Sequence, residues 1–150
     1  MEAVKIRIDL GVTTHDAVKE HPFVNISING FPQFGEIISE DTTVEIDMKI
    51  ENDTDNFLTV EYHNKDPEHD VVLAEDGTPE LDKRVEIRGI SFDDIALDFW
   101  AFDEESTLSY ESFDPQGENA EGFHASKLSW NGRTTLKFST PVYIWLLENL

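Results

Sequence analysis

Along most of the chain apolar and polar residues alternate with a period of two, the pattern of strands that bury one face. Val4, Ile6, Ile8 and Leu10 alternate with Lys5, Arg7 and Asp9. Phe23 to Ile28 leads into Asn29-Gly30, a pair that accepts the positive φ angles of a two-residue hairpin turn, and Phe31 follows. Val44, Ile46, Met48 and Ile50 repeat the theme, Asn52 to Asn56 is a turn cluster, and Leu58, Val60 and Tyr62 form the next set. Val85, Ile87, Ile90 and Phe92 keep one face only if a residue is skipped, which predicts a bulge at Gly89. Ile95, Leu97, Phe99 and Ala101 predict a further strand, and Thr135 to Phe138 closes the set. Short strands separated by turn residues predict an all-β fold, an antiparallel sandwich or jelly roll of about eight strands in a single domain.

Three segments stand apart from this pattern. The apolar run Val142 to Leu147, behind Pro141, reads as a short C-terminal helix or as a final strand. It docks on the domain's own core or on another subunit, with Tyr143 and Trp145 as candidate contacts. Residues 63–84 and 103–127 do not alternate and are the candidate functional loops. Tyr110, Phe113 and Phe123 lie in the second of them. Trp130 precedes Asn131-Gly132, which reads as another hairpin turn.

Charge narrows the range of partners. Against 11 Lys and Arg stand 32 Asp and Glu, a net −21. Such a field repels phosphate, which argues against nucleic acid and anionic membranes and in favour of cations, basic proteins or neutral glycans. The chain has no Cys, so disulfides and thiolate chemistry are excluded. No apolar run reaches the roughly 18 residues a membrane span needs, and Met1 to Ile8 lacks the apolar core of a signal peptide.

The acids also suggest chemistry. A hard cation such as Ca²⁺ takes oxygen ligands from carboxylates on an adaptable loop, and the first loop offers Asp66, Asp70, Glu75 and Asp76, with Asp82 nearby. His63 and His69 flank Asp66, but their six-residue separation fits no common zinc spacing and reads as surface histidines. Alternation places Trp100 and Phe102 opposite Leu97 and Phe99, so Trp100 is a candidate platform for a sugar or a partner. No nucleophile elbow, metalloprotease helix or phosphate loop is present, and the expectation is a non-enzyme with no certain cofactor, Ca²⁺ being the candidate.

Several blocks carry a resemblance. They are Ile26 to Gly30, Tyr62-His63-Asn64-Lys65-Asp66, Asp76-Gly77, Asp82, Val85 to Ile95, Trp130-Asn131-Gly132-Arg133 and Thr140 to Leu146. Together they resemble small β-sandwich domains of virion and tail-associated proteins of tailed bacteriophages. Those domains are similar in turn to calcium-dependent xylan-binding modules. The resemblance implies a jelly-roll-like sandwich without catalysis, serving as a head decoration, neck or tail accessory protein. The implied partners are other virion proteins or further copies of the chain, and the implied location is the virion. The alternative it implies is a Ca²⁺-dependent carbohydrate-binding module that attaches to polysaccharide.

Overall fold

The alternating segments become paired strands in a computed structural model, which describes residues 1–16, 18, 20–66, 70–97, 108–113 and 126–149. The long strands are β1 (Glu2–Thr13), β2 (Phe23–Ile28), β3 (Phe31–Ile37), β4 (Thr42–Ile50) and β5 (Asp55–Tyr62). Two short strands follow, β6 (Val72–Leu73) and β7 (Pro79–Leu81), then β8 (Arg84–Phe92) and β9 (Ile95–Ala96). The chain ends with β10 (Leu108–Ser112), β11 (Lys127–Leu128), β12 (Gly132–Ser139) and the helix α1 (Val142–Asn149).

Two antiparallel sheets make an all-β sandwich. One has the order β11-β8-β1-β4 with β9 paired to β8, and the other the order β10-β12-β5-β2-β3. The period-two residues of both sheets meet in a single core, in which Ile6 and Ile8 face Val24, Ile26, Leu58 and Val60, all at most 1% exposed. Phe92 of the first sheet touches Phe138 of the second, with ring centroids 4.9 Å apart.

The turn chemistry explains the registers. Asn29 and Gly30 adopt φ of 52° and 83° and join β2 to β3, as the Asn-Gly pair predicts. Asp9 pairs with Gly89 but Leu10 pairs with Ile87, leaving Arg88 as the extra residue of a bulge. That bulge lets Ile87 and Ile90, three apart in sequence, both turn inward. β3 escaped the alternation because it is an edge strand with nearly all its side chains exposed, where Pro32 is tolerated.

Two expectations are corrected. Asn131-Gly132 does not close a hairpin, because β11 pairs in one sheet and β12 in the other. Gly132 is required there for close approach: a Cβ on it would lie 2.6 Å from the Glu111 carbonyl oxygen. Part of the second predicted loop is strand, since Leu108 to Ser112 pair with Leu136 to Gly132 along β12. Of the strand expected from Ile95 to Ala101, β9 is described, and the residues from Asp98 to Ala101 lie outside the described set.

Candidate functional site

The acidic loop between β5 and β8 is organised by lysines. Its tip is the β6–β7 hairpin, closed by hydrogen bonds from Ala74 N to Thr78 O (2.8 Å) and from Gly77 N to Ala74 O (2.9 Å). Its base is a buried cluster of two ammonium groups and two carboxylates. Lys83 Nζ lies 3.1 Å from Asp70 Oδ2, and both side chains are 1% exposed. The same ammonium donates to the carbonyl oxygens of Glu20 (2.9 Å) and Asn64 (2.8 Å). Lys65 Nζ contacts Asp82 Oδ1 directly and donates to the Lys83 carbonyl at 2.5 Å.

Backbone and side chains around the cluster hold it in place. Asp66 N donates to Asp70 Oδ2 at 2.7 Å, and Lys83 N donates to Asp82 Oδ1 at 2.7 Å. Asn131 brackets Lys65, accepting from its N–H at 2.7 Å and donating to its carbonyl at 3.0 Å. Asn64 accepts from Phe23 N and donates to the His21 carbonyl, both at 2.8 Å. Tyr62, fully buried, donates its hydroxyl to the Lys83 carbonyl at 3.2 Å. The block Tyr62 to Asp66 therefore acts as a set of struts between the two sheets.

The electrostatics follow from burial. Removal from water lowers the Lys65 pKa, Asp82 and then Asp70 oppose that shift, and Lys83 adds to it. Burial raises the Tyr62 phenol well above its ordinary range, and the nearby Asp70 and Asp82 charges raise it further.

The carboxylates expected to share a cation divide between the base of the loop, which holds Asp66 and Asp70, and its tip, which holds Glu75 and Asp76. Asp70 is buried against Lys83, and the Asp66 N–H bonds to it. Asp76 sits exposed at the hairpin tip, where it accepts from the Thr78 hydroxyl (2.6 Å) and N–H (3.0 Å), which lower its pKa. Glu75 beside it is also exposed. Among the described residues no three Asp, Glu or His side chains gather as a metal site. The reason is that the lysine ammonium groups supply the positive charge that the loop's buried carboxylates need. These lysines were missed because acids dominate the loop; the available signal was Lys65 and Lys83 standing inside an acidic run. His69 lies outside the described residues, and His63 stacks on Phe113 at 5.5 Å with Glu61 3.5 Å from its Nε2.

The other candidate surface is α1. Its residues divide by helical spacing into two faces, and both are apolar. Val142, Trp145 and Leu146 point inward and are 1%, 8% and 2% exposed. Trp145 packs edge-on against Phe92 and Phe138, at 5.4 and 6.1 Å between centroids. Glu2 at the start of β1 accepts from Val142 N at 3.1 Å, placing a carboxylate at the helix N-terminus. Tyr143, Ile144 and Leu147 point outward and are 65%, 52% and 60% exposed. The run therefore docks on its own core and still presents an apolar face. Trp145, expected as a partner contact, is a core residue; Tyr143 is on the outer face; Trp100 lies outside the described residues.

The outer side of the first sheet carries Lys5, Arg7, Asp9, Glu45, Asp47 and Arg88 along paired strands, with ion pairs Arg7–Asp9 at 3.2 Å and Arg88–Asp41 at 2.5 Å. Among the described residues no helix is long and apolar enough to cross a membrane. Comparison of the chain with protein-family models, with curated proteins and with solved structures returned no match.

Proposed function

We propose that the protein is a non-enzymatic structural or accessory component of a tailed-phage particle, a head decoration, neck or tail protein, held to the particle through the outer face of α1. The carrying observation is the helix itself, apolar on both faces with one bolted to the core by Trp145 and the other exposed. The exposed apolar face of such a helix is one that assembly would cover. The partner surface this face fits is apolar with a basic rim, because the chain carries a net −21 and Glu148 adjoins the patch. The sequence blocks that resemble virion-associated sandwich domains support the same reading.

The test separates docking from folding. The double variant Tyr143→Ser, Leu147→Glu changes only exposed side chains and should keep its stability within about 0.5 kcal/mol per site. Its amount in purified particles, measured by quantitative mass spectrometry against the major capsid protein, should fall at least tenfold. Incorporation equal to that of the parent would overturn the proposal.

A further inference from the structure

The two buried lysines are not equivalent. An ammonium has three N–H donors. Lys83 Nζ meets three oxygens, those of Glu20, Asn64 and Asp70, and is satisfied as a cation. Lys65 Nζ meets two among the described residues, Asp82 Oδ1 in direct contact and the Lys83 carbonyl at 2.5 Å. Its side chain is 1% exposed, away from bulk water. A nitrogen bonded to Asp82 Cγ, with one N–H left for the Lys83 carbonyl, would have no donor unmet. The Asp82 oxygen would go on accepting from Lys83 N, 2.7 Å away. The contacts around Lys65 and Asp82 would suit an amide.

We propose that Lys65 and Asp82 join in an intramolecular isopeptide bond that forms once the domain has folded. The ion pair already has the composition of the amide plus one water. A proton passes from the Lys65 ammonium to the Asp82 carboxylate, giving an amine and a carboxylic acid. The Nζ lone pair attacks Cγ, and the N–Cγ bond forms as the Cγ–Oδ2 bond breaks. Oδ2 leaves as water with the acid proton and one proton from nitrogen, and Oδ1 remains as the amide carbonyl. No oxidant, reductant or cofactor enters. Two features favour this direction: a neutral amide avoids the desolvation of two buried charges, and Asp82, 18% exposed, gives the water a way out.

Position gives the bond its purpose. Lys65 lies just beyond β5 of one sheet and Asp82 just before β8 of the other. The link would close the acidic loop and tie the two sheets covalently in a chain with no Cys. This goes beyond the docking role of α1 and does not depend on it.

The test is the intact mass of the folded, purified wild-type chain. The expected mass is that of the sequence less one water, with tryptic mapping giving residues 50–83 as one peptide, uncleaved after Lys65 and itself one water light. Lys65→Arg should return to its full sequence mass. Asp82→Asn should form the same amide by releasing ammonia and reach the mass of the linked wild type, a second route should the arginine variant fail to fold. Folded wild-type protein at full sequence mass would overturn the proposal. So would a water deficit confined to the Asp76-Gly77 peptide and removed by hydroxylamine, which marks a succinimide there.

Discussion

Replacing Lys83 by Ala would strip the acidic loop of its central cation. The variant leaves the Asp70 carboxylate at 1% exposure with the Asp66 N–H but without the ammonium it contacts. It also deprives the Glu20 and Asn64 carbonyls of a shared donor. Breaking a buried pair on one side costs about 3–5 kcal/mol, mostly as the penalty of the stranded charge. In a chain of this length each kcal/mol lowers the melting temperature by roughly 2–4 °C, so the drop should be roughly 6–20 °C. Urea unfolding followed by tryptophan fluorescence, with Trp145 as a core reporter, should show a lower midpoint with an unchanged slope. The double variant Lys83→Met, Asp70→Leu removes both charges and should recover most of the loss, because an apolar pair carries no desolvation penalty. A single variant within about 1 kcal/mol of the parent would show that the loop is not held by this pair.

Two further outcomes follow from the same structure. Trp145→Ala should cost about 3–5 kcal/mol in urea unfolding, since it empties the contact between α1 and the Phe92–Phe138 pair; a loss near zero would mean that the helix is not anchored. Tyr62 should make stability alkali-sensitive: its folded pKa lies above the unfolded one, so its contribution is complete below about pH 10 and lost as the pH rises beyond. Tyr62→Phe should therefore lose less stability than the parent between roughly pH 9 and 11, and parallel pH profiles would refute this.

The strands were legible wherever one face is buried and the other wet. Val4 to Leu10, Val44 to Ile50 and Leu58 to Tyr62 alternate because each lies in a sheet with one face packed on the core. The bulge, at Arg88 beside the expected Gly89, and the Asn29-Gly30 turn were legible because a skipped residue and a positive φ each leave a local mark. β3 left no such mark, being an exposed edge, and β10 was too short and polar to stand out from its acidic surroundings. The C-terminal run could be read as apolar but not as two-sided, because both of its faces carry the same kind of side chain.

The loop shows most sharply where sequence stops. Local chemistry alone determined the sandwich, the hairpin and the bulge, since period, turn residues and φ preference act within a few residues. It also determined that the 63–84 segment is rich in carboxylates. Which cation those carboxylates face was decided by contacts across the fold. Lys83 reaches Glu20 and Asn64, and Lys65 is gripped by Asn131, partners separated by 63, 19 and 66 positions. A charge set reads as a metal site or as a self-neutralised cluster according to what packs against it, and that is a property of the closed sandwich rather than of any segment.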